Sequence, residues 1–317
     1  MTAISGPVLG TAELSLQLPE GLSQRPLDTA DAAAVTAVMA AQELQDVGEV
    51  FTEEADIIAD WQKPSYDVRG NTVGVFESER LVAYAEFVGG DQGYAAVHPA
   101  YCGQGIGTEL ARWMQEKARL AGSSLVGMST PLGSPGDVLL EQLGYGVRWT
   151  SWELTLPEGR RIERQSMPDG YAIRTAVEAE YESVWAVLED AFLEWSDRER
   201  HSFDDFAAGV WLRPGFAPWN LRVAVDPEGV TVGVAFVILS DEGATAYVQK
   251  LAVRKDHRGL GLARALLADA FELGRAHGAS TSVLDTDSRT GALGLYEKVG
   301  MEVTSVWVNR CIELRPG

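Results

Sequence analysis

Residues 253–263 read Val-Arg-Lys-Asp-His-Arg-Gly-Leu-Gly-Leu-Ala, and this stretch decides the fold. The apolar run before it, 247–253, has the composition of a strand. Apolar residues at helical spacing follow it over 262–276. Strand, short glycine-rich loop and helix together make an anion trap. The first turn of a helix leaves N–H groups without partners, and its dipole adds partial positive charge there. Glycines let the backbone approach a phosphate closely. Arg258 and Arg264 add two full charges. Taken alone, such a loop also fits an ordinary strand-to-helix turn.

The pattern occurs twice. Residues 97–107, Val-His-Pro-Ala-Tyr-Cys-Gly-Gln-Gly-Ile-Gly, lie 156 positions earlier. Leu139-Leu140-Glu141-Gln142-Leu143-Gly144-Tyr145 precedes Leu295-Tyr296-Glu297-Lys298-Val299-Gly300-Met301 by the same 156. Two separated motifs sharing one offset mark an internal duplication. Both copies also open alike, with Pro19-Glu20-Gly21 followed by Arg25 and Pro168-Asp169-Gly170 followed by Arg174. The expectation is two tandem domains, 1–157 and 168–317, joined by the polar stretch 157–167.

Alternation and turn residues place strands at 221–225, 230–239, 247–253, 281–284 and 304–314 of the second copy, with helices at 181–193, 262–276 and 290–298. The first copy repeats the order, with strands at 72–76, 81–87 and 93–97 and a helix at 107–121. Elements mixed in this way imply an α/β (α+β layered) fold, each domain a mixed central sheet flanked by helices.

The formal charge of −20 and pI near 4.6 argue against a nucleic-acid partner, which needs clustered Lys and Arg. The excess acid favours a cationic ligand, or serves solubility alone. No apolar run approaches the ~20 residues that span a bilayer, and no secretory leader pattern opens the chain. Cys102 and Cys311, far apart, form no disulfide framework, so the expected location is cytoplasmic. No pair among His98, His201, His257 and His277 has metal-ligand spacing, and no metal is expected.

With the loop and the C-terminal motif in hand, the sequence resembles the GNAT superfamily of N-acetyltransferases. The family loop reads Gln/Arg-x-x-Gly-x-Gly/Ala, matched by Arg258-x-x-Gly261-x-Ala263, and the later Leu-Tyr-x-Lys-x-Gly-Phe-like segment is matched by 295–301 with Met301 for Phe. The tandem arrangement is similar to that of the mycothiol synthase type, whose members acetylate an amine on a sugar-linked cysteine. The resemblance implies a sheet splayed between its fourth and fifth strands, with acetyl-CoA in the opening. The backbone of Leu251, Ala252 and Val253 would meet the pantetheine arm. Arg258, Gly259, Leu260, Gly261, Leu262, Ala263 and Arg264 would hold the pyrophosphate. Ser288 would replace the Asn that many members place before the last helix. Tyr296 falls where the family has its proton donor to the leaving thiolate. The strand before the loop carries no acid; Glu242 is the candidate base, with Asp241, Asp285 or a water as alternatives.

The first copy departs from the family at two positions. Cys102 replaces the Arg, and Leu140, which cannot donate a proton, replaces the Tyr. That domain is expected to be inactive, holding acetyl-CoA or only bracing its neighbour; Cys102 at a helix N-terminus could alternatively be a reactive thiol. The acceptor region, 185–219, holds eight aromatic residues, and seven acids lie between Glu189 and Asp205. Such a mixture would suit a cationic small-molecule amine, or be ordinary core and solvated face. The expected assembly is a monomer or homodimer. A non-catalytic acyl-CoA-binding protein is the alternative reading.

Overall fold

The computed structural model describes residues 14–163 and 166–314. Residues 1–13 of the first expected domain, and Arg164 and Gln165 of the expected linker, lie outside the described residues. The N-terminal half runs β1 (Leu22–Arg25), α1 (Ala32–Asp46), α2 (Glu54–Trp61), α3 (Val68–Asn71), β2 (Thr72–Glu77), β3 (Arg80–Gly89), β4 (Gln92–Val97), α4 (Ile106–Leu120), β5 (Leu125–Pro131), α5 (Pro135–Gln142) and β6 (Gly146–Leu156). The C-terminal half repeats it as β7 (Ala172–Thr175), α6 (Tyr181–Phe192), α7 (Phe203–Gly209), β8 (Leu221–Val225), β9 (Thr231–Ser240), β10 (Thr245–Val253), α8 (Leu262–Ala276), β11 (Thr281–Asp287), α9 (Leu293–Lys298) and β12 (Glu302–Glu313).

Helix α9 starts later than the apolar pattern implies. The Thr290 hydroxyl captures the Ala292 amide at 3.1 Å, so the chain turns before it coils. The two openings share one device: Arg25 grips Asp31 and Arg174 grips Glu180, each through two N–H groups at 2.5–2.7 Å.

The twelve strands among the described residues form one sheet, in the order β1-β2-β3-β4-β5-β12-β6-β11-β10-β9-β8-β7. The last strand of each half has crossed into the other. β12 pairs with β5, and β6 pairs with β11, both antiparallel, while β6 and β12 pair with each other along the centre. Packing anchors the exchange. Leu154 and Leu156 of β6 are buried against α8 in the C-terminal core, and Leu314, just past β12, is buried in the N-terminal core with α4. Truncating a fully buried Leu such as Leu154 costs about 2–5 kcal/mol.

On one face of the sheet, α4 and α8 cover the two apolar cores. On the other face, α1 and α2 cover the N-terminal strands and α6 and α7 the C-terminal ones. Polar contacts join these two covers: Arg213 donates to Asp56 at 2.8 Å and Glu53 at 2.9 Å, and Gln62 donates to the Ala208 and Leu212 carbonyls. None of the described helices is long and apolar enough to cross a membrane.

Candidate active site

β10 and β11 run parallel and pair only from Thr245–Thr281 to Val248–Leu284. Beyond that point β10 stays with β9 through a bulge between Val248 and Lys250, while β11 stays with β6. The wedge between them opens into a cavity of about 640 Å³. Arg254 donates its amide to Val232 on the β9 side. Strand N–H groups alternate in direction, so the Val253 amide points the other way, into the wedge.

The glycine loop closes one end of the cavity. Gly259 (φ 79°) and Gly261 (φ 78°) sit in the left-handed region that favours glycine, and Gly261 caps α8. The amides of residues 259–264 have no hydrogen-bond acceptor among the described residues, and the buried Arg264 Nε has none either. These orphaned donors fit a diphosphate. Arg258 bonds the Val253 carbonyl through Nε at 3.0 Å and grips Glu194 at 2.6 and 2.9 Å.

Tyr296 lines the same cavity at 8 % exposure. Burial, and secondarily the charge of Asp285, push its phenol up to about 12. Asp285 also lines the cavity and accepts a hydrogen bond from the Tyr247 hydroxyl. Surrounding protein raises the Asp285 carboxyl above the usual carboxylate range, and the Tyr247 hydrogen bond only partly opposes this.

Of the residues singled out from sequence, Tyr296, Leu251, Ala252, Val253, Arg258, Gly259, Gly261, Leu262, Ala263 and Arg264 meet around this cavity. Leu260 points outward, at 39 % exposure. Ser288 lies outside the lining; its amide and hydroxyl bond Thr150, extending the β11–β6 ladder. Thr290 lines the cavity instead. Glu242 sits exposed on a turn at the start of β10, at the opposite end of the strand from the loop, and outside the lining. Sequence reasoning gave no role to Thr290 or to the Tyr247–Asp285 contact. Alternation along β11 was the available signal, since it sets Asp285 on the face opposite the buried Leu284.

Three of the seven acids in the acid-rich region are paired with cations. Glu189 is buried and bound by Arg198 and His201, Asp190 pairs with Arg200, Glu194 with Arg258, and Asp205 accepts from Ser65 and Ser202. Tyr181 stacks on Trp211 beside Phe203 and Phe206; Phe206 is buried in the core while Phe203 is 38 % exposed, and Phe192 and Trp195 reach the cavity.

The corresponding place in the N-terminal half is built differently. β4 and β5 pair at Gln92–Gly127 and splay as well. The amide of Val97, counterpart of Val253, is taken by the Gln42 side chain at 2.8 Å. Leu140 is buried at 4 %. Burial pushes the Cys102 thiol up, with Asp46 adding to the effect, which disfavours the thiolate.

The acetyltransferase (GNAT) family model matches residues 36–130 and 178–301, one stretch in each half. A mycothiol acetyltransferase from Salinispora arenicola is 28% identical over 220 residues, 68% of this chain and 70% of that protein. A GCN5-related N-acetyltransferase from Sphaerobacter thermophilus has a solved structure that matches 95% of this chain and 98% of its own, at 26% identity and a TM-score of 0.71. A tandem GNAT protein from the clavulanic acid biosynthesis pathway shares the fold at 18% identity and a TM-score of 0.71, over 93% of this chain and 99% of its own. The chain belongs to the GNAT family of acetyltransferases, with acetyl-CoA as its acyl donor.

Proposed function

We propose that this protein is an N-acetyltransferase whose chemistry runs in the C-terminal half, 168–317, while the N-terminal half, 1–157, is catalytically silent and braces it. One observation carries the reading: a single wedge-shaped cavity is lined by the loop whose amides are orphaned and by Tyr296 and Asp285. Acetyl-CoA supplies an acetyl group activated as a thioester. The backbone at Leu251, Ala252 and Val253 receives the pantetheine arm, and the loop amides with Arg258 and Arg264 receive the pyrophosphate.

Asp285, rather than the distant Glu242, takes a proton from the acceptor's nitrogen. The free amine forms the C–N bond, the C–S bond breaks, and Tyr296 gives its phenolic proton to the sulfur. The second proton of the nitrogen restores the phenol through water. A phenol pushed up to about 12 stays protonated at neutral pH, as a donor must. The N-terminal half has no phenol at Leu140, and its arm-facing amide is occupied by Gln42.

The acceptor is a small primary amine carrying positive charge. Asp285 on the cavity wall, which no cation among the described residues pairs, favours this more than Glu189, Asp190 and Glu194, which Arg and His side chains hold, do. An acceptor like that of the mycothiol acetyltransferases is the specific form favoured by the 28% identical relative. The test is thiol release from acetyl-CoA with spermidine, tobramycin, cysteine and a tripeptide. Turnover with at least one amine is expected; binding of coenzyme A without any turnover would favour an acyl-CoA-binding pseudoenzyme.

A further inference from the structure

Glu153 stands directly opposite Asp285 in the β6–β11 ladder, so both carboxylates lie on the same sheet face. Facing residues of an antiparallel pair hold their Cβ atoms about 4.5–5.5 Å apart, and like charges there repel. No cation among the described residues forms a salt bridge with either carboxylate. Their hydrogen bonds come from hydroxyls: Thr304 of β12 to Glu153 at 3.3 Å, and Tyr247 of β10 to Asp285. Packing alone would remove such an arrangement, because an apolar pair there would cost nothing in repulsion. Glu153 belongs by sequence to the N-terminal half and reaches this place only because β6 has crossed over.

Resting on the acetyltransferase reading above, we propose that Glu153 is a positioning residue for Asp285, delivered by the exchanged strand, and that the site of the C-terminal half is therefore completed by the N-terminal half. Repulsion between two facing carboxylates is mutual, so each charge raises the proton affinity of the other and the pair is a better acceptor for the amine's proton near neutral pH. An acid–base group works best when its pKa lies near the working pH. The charged and titratable groups facing the pair are Asp287, Tyr247 and Lys250 from β10 and β11, Tyr94 from β4, Tyr296 from α9, and Glu43 and Glu49 from α1 and the loop after it. Apart from Lys250 and the neutral phenols of Tyr94, Tyr247 and Tyr296, all are acids and push the same way. Burial and these acids push Glu153 itself up to about 7. The two carboxyls titrate as a coupled pair.

The experiment is the pH profile of kcat/KM for the full-length chain with the fastest amine of the panel, for wild type, Glu153→Gln and Glu153→Asp. Asp285 must be ionised to act, so activity rises with pH through its titration. Removing the neighbouring charge lowers that titration. In Glu153→Gln the acidic limb is expected to move down by roughly one pH unit, the size of one charge pair at this separation in a half-exposed site. Glu153→Asp keeps the charge and should keep the limb. A packing role gives the reverse, with Gln benign and Asp harmful. Calorimetric titration with coenzyme A checks that each variant is folded. An unmoved limb in Glu153→Gln, with wild type active, overturns the role of Glu153 alone. Absence of turnover in wild type overturns the enzymatic reading, and this inference with it.

Discussion

Tyr296→Phe isolates one hydroxyl. The ring is buried at 8 % exposure in the C-terminal core against residues of α8 and α9. Its hydroxyl makes no hydrogen bond among the described residues, and the residue lines the cavity. Phenylalanine therefore keeps the packing and removes only the proton donor. The fold should lose less than about 1 kcal/mol, since no buried partner is left unsatisfied. Turnover should fall about 100- to 10,000-fold, the usual contribution of a positioned acid. The assay is steady-state thiol release with a saturating amine, paired with calorimetry for coenzyme A, whose affinity should stay within about threefold because the loop amides are untouched. The wild-type phenol, at about 12, holds its proton throughout pH 6–10, so the loss should be the same across that range. A variant turning over within threefold of wild type would refute the argument. So would a loss of coenzyme A affinity equal to the loss of rate, because the ring would then be a binding wall and not an acid.

Arg258 and Glu194 form an exposed ion pair at the loop, which a pyrophosphate must compete with. Glu194→Gln should tighten coenzyme A up to about fivefold, and Arg258→Gln should weaken it and flatten its salt dependence, both read by calorimetry. The Gln42 side chain on the Val97 amide implies a stoichiometry of one coenzyme A per chain in wild type; a value of two would show that the N-terminal wedge also binds. Glu189 is raised by burial, but hydrogen bonds from His201 and Arg198 overcome this and hold it down at about 2. Its stabilisation is complete above the unfolded carboxyl value near ~4.3 and fades as pH falls toward 2, so urea midpoints should drop over that window. In Glu189→Gln that part of the drop should be absent, and stability at pH 7 should be lower by about 1–3 kcal/mol because the charge-assisted hydrogen bonds from Arg198 and His201 are lost while both remain partly solvated.

The sequence alone determined whatever depends on neighbours along the chain. The glycine loop, the helix it caps and the strand before it follow from spacing and from the conformations glycine permits. The 156-residue offset exposed the duplication. The place of Tyr296 was legible because its motif is local. Tertiary structure decided what comes together from afar. Strands β6 and β12 carry equivalent patterns, and alternation specifies which face is buried but not which partner lies alongside. Nothing local therefore said that they exchange, or that Glu153 would meet Asp285. For the same reason the acids of 189–205 left two readings open, a site for a cation or a solvated face, until Arg198, Arg200 and His201 of the same segment and Arg258 from the glycine loop closed on three of them. Charge along a sequence is additive; charge in a fold depends on which groups are brought within a few ångströms, and only the packed chain fixes that.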